Sequence, residues 1–165
     1  MVDKLVSERL QPSLLDRLTD QKPESPEESR DERVIDMRRL RAIVLRDLTW
    51  LFNTTNFASV RDLKLMPQSA ASVINYGIPD VAGQQSGQNW AFGLQRALRD
   101  AIERFEPRLI PGTVEILLGE QNYGRDAVIV LEIRGELWAH PMPIELYMRT
   151  ELDLANGEIT VRNET

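Results

Sequence analysis

The sequence predicts an α+β fold, in which two main helices pack on one face of an antiparallel sheet of about four strands, with a short extra helix near the N-terminus. Three observations predict this fold. Apolar residues recur every three or four positions in two segments before residue 107. After Thr113 the apolar repeat becomes two, which is typical of strands. Asn156-Gly157 then provides a strong hairpin signal between the last two predicted strands.

The first element is a short apolar helix in an N-terminal arm. Leu14, Leu15 and Leu18 lie at helical spacing, and the Ser13 hydroxyl is placed to cap the first turn. A helix this short is not stable alone in water, because the first turn is costly to form. It is therefore expected to dock, either on the core of its own chain or on a neighbouring protein, and the sequence leaves both options open.

A polar linker follows the short helix. Residues 19–33 contain two prolines among charged side chains and almost no apolar residue. Such a segment buries too little apolar surface to hold a fixed structure, so we expect it to be mobile from Asp20 onward. The chain is thus predicted to consist of an arm, residues 1–33, and a single folded domain, residues 34–165.

The first main helix is predicted by a start signal, a stop signal and an apolar stripe. Ser25-Pro26-Glu27-Glu28 fits a capping box with proline at the first helical position. Polar side chains at residues 53–56 compete with the helical backbone and are expected to end the helix. The stripe between these signals contains Val34, Met37, Leu40, Val44, Leu48 and Leu51.

The second main helix follows a segment rich in proline and glycine. This segment, residues 67–88, is expected to be irregular or to contain at most one helical turn. The helix is predicted to begin near Asn89 and to stop at Glu106, because Pro107 disfavours helical geometry in the residue before it. Its apolar face contains Trp90, Leu94, Ala97, Leu98, Ala101, Ile102 and Phe105.

Four strands are predicted in the last third of the chain. Residues 114–118 alternate in a short strand, which a polar turn follows. Residues 127–134 form a nearly continuous apolar run, which indicates burial on both faces. Residues 144–154 alternate without error, and residues 158–161 form a short last strand after the hairpin.

The composition argues against several classes of function. The chain has 165 residues and a formal net charge of −6, which is unsuited to broad contact with nucleic-acid phosphates. It has neither an apolar run long enough to span a membrane nor the core of a signal peptide at its start. We therefore expect a cytoplasmic protein that binds no nucleic acid and does not insert into membranes.

Catalytic and metal-binding motifs are not evident. There is no cysteine and a single histidine, His140, so the usual thiolate and imidazole metal sites cannot be built and no cofactor is expected. Without a Gly-x-Ser-x-Gly elbow or a phosphate-binding loop, we interpret His140 as a loop residue and expect no small-molecule substrate. A peptidoglycan hydrolase with paired carboxylates remains the alternative, which a turbidity assay on cell walls would separate from a non-enzyme.

Two residues of opposite charge lie where the second helix ends and the sheet begins. Pro107 fixes a sharp exit from the helix, and Glu106 and Arg108 flank it with opposite charges. The residues alone favour a helix stop with an incidental surface ion pair over a functional contact.

Five groups of motifs occur in order between about residues 13 and 157: Ser13-Leu14-Leu15-Asp16-Arg17-Leu18; Leu45-Arg46-Asp47-Leu48 with Leu51-Phe52-Asn53-Thr54; Ser72-Val73-Ile74-Asn75-Tyr76-Gly77-Ile78-Pro79-Asp80; Ile102-Glu103-Arg104-Phe105-Glu106-Pro107-Arg108-Leu109; and Glu132-Ile133-Arg134-Gly135-Glu136-Leu137. This pattern resembles the TssE family of type VI secretion proteins, which are relatives of a wedge protein in the baseplate of contractile-tailed phages. The resemblance covers nearly the whole domain.

The resemblance implies a structural role. TssE-like subunits lie in the baseplate wedge beside TssF, TssG and TssK, and their sheet resembles the part of the sheath subunit that links successive rings. They are thought to start polymerisation of the TssB–TssC sheath, although older descriptions call the family lysozyme-like. The resemblance implies that Arg108 contacts a neighbouring subunit of the assembly. An Arg108→Ala protein is therefore expected to fold but not to assemble. The candidate partner-binding residues are Glu106, Pro107, Arg108, Leu14, Leu15 and Leu18.

Overall fold

The computed structural model describes residues 13–19, 24, 37–82, 88–123, 127–138 and 143–163. It confirms the predicted α+β fold, with helices that precede a four-stranded sheet. The elements are α1 (Leu14–Leu18), α2 (Met37–Phe52), α3 (Pro67–Ala70), α4 (Gln88–Phe105), β1 (Glu115–Tyr123), β2 (Ala127–Leu137), β3 (Ile144–Asp153) and β4 (Ile159–Asn163), with 3₁₀ turns at Phe57–Ser59 and Val73–Asn75.

Helix α2 ends where the sequence predicts, after Phe52. The Asn53 side-chain amide donates to the Thr49 carbonyl at 2.8 Å, and the Thr54 hydroxyl donates to the Trp50 carbonyl at 2.7 Å. The Thr54 bond satisfies a carbonyl group at the helix end, where backbone donors run out, whereas the Thr49 carbonyl also accepts from the Asn53 backbone amide at 3.1 Å. The predicted capping box at residues 25–28, the start of the stripe at Val34 and nearly all of the expected mobile linker lie outside the described residues. The buried side chains of α2 are Leu40, Ile43, Val44, Leu48, Leu51 and Phe52.

Between the two main helices the chain is irregular, as predicted, but it contains two short turns where at most one was expected. These are α3 and the 3₁₀ turn Val73–Asn75. Asn75 connects this segment, because its buried amide donates to the Ala70 carbonyl at the end of α3 at 3.0 Å and accepts from the Ala58 amide in the turn Phe57–Ser59 at 2.8 Å. A side chain thus supplies the hydrogen bonds that a longer helix would supply through its backbone.

Helix α4 confirms the second predicted helix and its end before Pro107. Its buried side chains are Ala91, Leu94, Leu98, Ala101 and Ile102. All of them except Ala91 belong to the same core cluster as the buried residues of α2 and of one sheet face. Among the described residues, no helix is long and apolar enough to cross a membrane.

The sheet has the order β1-β2-β3-β4, and every neighbouring pair is antiparallel. Two expectations for β1 and β2 were wrong. The polar turn expected after Leu118 is a continuation of β1 to Tyr123, because a register shift between Leu118 and Gln121 lets the polar residues stay paired with β2. The second predicted strand is present as β2 and extends three residues further than predicted, to Leu137.

Burial of β2 on both faces is the second wrong expectation. Ile129, Leu131 and Ile133 are buried, whereas Val128 and Val130 on the opposite face are partly exposed. Both main helices pack on the first face, and the two valines are not part of the core cluster that the described residues form.

Strands β3 and β4 follow the predictions closely. In β3 the alternating residues Leu146, Met148, Thr150 and Leu152 are buried, although Leu154 already belongs to the turn. The predicted Asn156-Gly157 hairpin is present. Its Gly157 has a φ of 74°, a conformation that glycine adopts without steric cost.

Candidate functional site

Three segments that are distant in sequence meet at one end of the helical layer. Here α1, the middle of α2 and the segment after α4 bring together five residues of alternating charge, which we call the charge cluster: Asp16, Arg46, Asp47, Arg108 and Glu106. Arg46 donates from Nη1 to Asp16 Oδ1 at 2.7 Å and from Nη2 to Asp47 Oδ1 at 2.7 Å. Arg108 donates from Nη2 to Asp47 Oδ2 at 2.6 Å and from Nε to Glu106 Oε1 at 2.6 Å.

Backbone bonds around Pro107 hold Arg108 in place. The Glu106 amide still donates to the Ile102 carbonyl at 2.9 Å, so Glu106 closes the last turn of α4. On the other side of Pro107, the Arg108 carbonyl accepts from the Trp138 amide at 2.8 Å, which ties this segment to the end of β2. The position of Arg108 is therefore fixed by both the helix and the sheet.

The pair of Glu106 and Arg108 is largely withdrawn from water. The Glu106 side chain is 3% exposed and that of Arg108 is 26% exposed. Both Glu106 oxygens accept from Arg108, since Oε1 is bound by Nε and by the Arg108 amide, and Oε2 by Nη2. Burial alone would lower the pKa of Arg108, but the hydrogen bonds and charges of Glu106 and Asp47 outweigh it and raise that pKa.

Helix α1 contacts the domain through its polar side. Ser13 caps α1 as predicted, and Asp16 is buried against Arg46. On the predicted leucine face, Leu14 is 71% and Leu18 74% exposed, whereas Leu15 is 48% exposed and borders a pocket of the domain. The ion pair of Asp16 with Arg46 is the direct contact that holds α1 on its own chain.

The aromatic residues next to the charge cluster line a shallow pocket. The Tyr76 and Phe105 rings pack edge to face, with centroids 5.2 Å apart. Trp50 lies under the Arg46 guanidinium, 4.8 Å from its centre. Together with Leu15 and Arg108, these rings border a pocket of about 220 Å³. Burial raises the pKa of the Tyr76 hydroxyl, and the nearby charges of Asp47 and Glu106 add to this increase.

Sequence reasoning identified Glu106, Pro107 and Arg108 but missed Asp16, Arg46 and Asp47 as parts of the same site. A signal was present, because each of the three lies in one of the quoted motifs. What the motifs did not reveal is that their charged residues pair with one another.

The geometry does not suit Glu106 to the alternative role as a catalytic acid of a hydrolase. Both of its oxygens are bound by Arg108, so neither is placed to donate a proton to a substrate. His140 lies outside the described residues. Within the part of the chain that is described, no three His, Asp or Glu side chains are grouped so that they could hold a metal ion.

The Asp16 contact gives a prediction for pH. Burial alone would raise the pKa of Asp16, but the hydrogen bond with Ser13 and the ion pair with Arg46 outweigh it and hold the pKa below its ordinary value. The charged form is thus favoured in the docked state, and docking weakens as the pH falls below about 4, through this lowered pKa.

We therefore expect the amide resonances of α1 to keep docked positions at neutral pH and to move toward those of a free peptide in acid. Asp16→Asn should release α1 already at pH 7, at a cost of roughly 1–2 kcal/mol. Asp62→Asn, which changes a 69% exposed carboxylate elsewhere, is the matched control and should have no effect. If α1 stayed docked at pH 7 in Asp16→Asn, the ion pair would not be its anchor.

Comparisons with known proteins give one family and a structural likeness. The family model described as Baseplate wedge protein gp25 matches residues 38–142, which include four of the five members of the charge cluster. A chain in the solved structure "The baseplate complex from the type VI secretion system" is similar with a TM-score of 0.47 and 21% identity, over 69% of this chain and 94% of that chain. No curated protein matches the chain.

Proposed function

The chain belongs to the baseplate wedge protein gp25 family, and from this premise we propose that it is a non-enzymatic structural subunit of the baseplate of a contractile injection machine. The observation that carries the proposal is the family match over α2 to β2, the elements that position Arg108. The role of the site is then to bind neighbouring subunits.

The more specific assignment is to a type VI secretion system, as a TssE subunit that works in the cytoplasm. Its partners in this assignment are TssF, TssG and TssK in the wedge and the TssB–TssC sheath, whose polymerisation it helps to start. The ordered motifs support this assignment. Three of them, at residues 13–18, 45–48 and 102–109, also supply the charge cluster, so charged residues of three motifs share one site.

Within the proposed interface the candidate residues have different tasks. In the segment Glu106-Pro107-Arg108, the Arg108 side chain is partly exposed and reaches the surface. The buried Glu106 orients Arg108, and Pro107 fixes the turn before it. The exposed Leu14, Leu15 and Leu18 add an apolar surface beside it. A wedge partner would cover these leucines and accept a hydrogen bond from Arg108.

The connection to the sheath is proposed to use an edge of the sheet. Among the described strands, β1 and β4 are the two edges, and those edge backbone groups that have no other hydrogen-bond partner can pair with an added strand from another chain. Such bonds supply affinity through the main chain.

The apolar surface of α1 is tested by Leu15→Asp. Because Leu15 is 48% exposed, the variant should melt within about 2 °C of the natural protein. Binding to a TssF–TssG complex should fall by more than about tenfold, because the interface would have to bury a carboxylate in an apolar contact. Co-purification together with a thermal melt measures both quantities.

Val60→Asp is the matched control. Val60 is 77% exposed in the loop between α2 and α3, so its substitution should change neither melting nor binding. Normal binding of Leu15→Asp would remove the α1 leucines from the interface.

The function as a whole is tested in cells that produce a fluorescent sheath subunit. Deletion of the gene should abolish sheaths, and expression of the natural chain should restore them. Sheaths that form at a normal frequency without this chain would contradict the proposal.

A further inference from the structure

The outward direction of the β4 backbone can be read from its first hydrogen bond to β3. The Asp153 amide donates to the Glu158 carbonyl at 3.0 Å, so the Glu158 carbonyl points toward β3. Backbone direction alternates along a strand, and the N–H and C=O groups of Ile159, Val161 and Asn163 therefore point away from the sheet. These are the groups to which an additional strand would pair.

A side chain already occupies one of these positions. The Asn53 Nδ2 group donates to the Ile159 carbonyl at 2.7 Å, and the Ile159 amide donates to Asn53 Oδ1 at 2.9 Å. One amide thus makes the two hydrogen bonds that a residue of an added strand would make. A third bond, from Nδ2 to the Thr49 carbonyl at 2.8 Å, fixes Asn53 at the end of α2.

The opposite edge is protected in a different way. On β1, the Gln95 amide of α4 donates to the Ile116 carbonyl, and it thereby binds a single outward group. The register shift between Leu118 and Gln121 then interrupts the edge, because outward groups no longer recur at every second residue. The β4 edge has no such shift over its five paired residues, so a regular strand fits it once Asn53 is removed.

We propose that Asn53 is an edge guard, which prevents β4 from pairing with β4 of a second copy of this chain. In a twofold antiparallel arrangement centred on Val161, Val161 of both copies would face each other, and Ile159 would face Asn163 of the other copy. On the outer face Thr160 would lie opposite Arg162, so no like charges oppose each other. With Asn53 in place, only the hydrogen bonds between the two Val161 residues can form. Without Asn53, the hydrogen bonds between Ile159 and Asn163 form on both sides as well.

This inference is independent of the proposed baseplate role, because it concerns isolated copies of the chain. Edge strands with free backbone groups tend to join to one another, and natural proteins prevent this by several means, one of which is to cover the edge. The Asn53 side chain is exposed and its bonds are local, so the domain is expected to fold without it.

The test measures self-association by analytical ultracentrifugation. Asn53→Ala should dimerise at a concentration at least about tenfold lower than the natural chain, since four more hydrogen bonds become available. Gln95→Ala is the matched control and should stay monomeric, because the β1 edge remains interrupted. The double variant Asn53→Ala, Val161→Pro should be monomeric at the concentrations at which Asn53→Ala dimerises. Proline removes the outward N–H at Val161 but leaves the inward bonds of Thr160 and Arg162.

A second substitution, Asn53→Asp, keeps the proposal testable if the Asn53→Ala protein does not fold. Asn53→Asp still accepts from the Ile159 amide but repels the Ile159 carbonyl, so its self-association should lie between those of the natural chain and Asn53→Ala. Circular dichroism checks that each variant is folded. A folded Asn53→Ala or Asn53→Asp that stays as monomeric as the natural chain would overturn the proposal. Dimerisation that Val161→Pro does not suppress would overturn it as well.

Discussion

Replacing Arg108 by alanine should lower the free energy of unfolding by about 3–5 kcal/mol, which is typical of a buried ion pair that loses one partner. Glu106 would stay behind with a 3% exposed side chain, and the bonds that Arg108 gives to both of its oxygens would be lost. The expected fall in melting temperature is roughly 10 °C. Arg134→Ala is the matched control. Arg134 is 53% exposed, and its loss should cost less than about 1 kcal/mol.

This expectation differs from the one that the family resemblance implied, which was a folded Arg108→Ala protein that fails to assemble. The structure adds a stability cost, so failure of assembly in the single variant would not identify a contact. Adding Glu106→Gln removes the charge that Arg108→Ala leaves without a partner. The double variant should recover most of the lost stability and still fail to support sheaths.

The decisive measurement combines melting curves with imaging of sheath assembly for the single and double variants. Arg108→Lys should be nearly as damaging as Arg108→Ala, because an ammonium group cannot bind Glu106 and Asp47 with the planar geometry of a guanidinium. Normal sheaths in cells with the stable double variant would show that Arg108 serves the fold and not the interface.

The main helices and the last two strands could be predicted because their signals are local. Apolar side chains at helical spacing, the polar end at Asn53 and the proline at Pro107 all act within a few residues of the boundary that they set. The hairpin at Asn156-Gly157 is local in the same sense. The family match also confirms the resemblance to a contractile-tail wedge protein that the motifs indicated.

The two errors in the sheet have a common cause, since neither depends on local sequence. Polar residues after Gly119 look like a turn, yet they stay in β1 because a bulge adjusts their register to β2. The apolar run in β2 looks buried on both faces, but only the position of the helices decides which face is covered. The register of a strand and the burial of its faces depend on the neighbouring strands and helices. The sequence pattern of one strand carries no information about those neighbours.

The charge cluster was only partly predictable for a similar reason. Glu106 and Arg108 are close in sequence, whereas Arg46 and Asp16 are 30 residues apart and Arg108 and Asp47 are 61 apart. Ion pairs over such separations leave no periodic pattern in one sequence. The sequence places Leu14, Leu15 and Leu18 on one face of α1. It does not show that Asp16 on the polar side is buried, because that burial depends on Arg46.

Gly77→Ala should be among the most destabilising single substitutions in the domain, at about 3–5 kcal/mol. Gly77 has a φ of 113°, which residues with a side chain adopt only at a cost, and a methyl group there would lie 2.1 Å from the Thr54 carbonyl oxygen. The backbone would have to move apart at this point. Two hydrogen bonds would then be lost, from the Ile78 amide to the Thr54 carbonyl at 2.9 Å and from the Asn56 amide to the Ile78 carbonyl at 2.8 Å.

Gly93→Ala is the matched control for this prediction, because a methyl group at Gly93 meets nothing within 4 Å and Gly93 lies within a helix. That variant should be as stable as the natural chain or up to about 1 kcal/mol more stable. Chemical denaturation of both variants measures the difference. In Gly77→Ala the ring of Tyr76, which packs on Phe105 beside the charge cluster, should also lose its fixed position. A Gly77→Ala protein that unfolds at the same denaturant concentration as the natural chain would show that this loop accommodates the methyl group without a loss of stability.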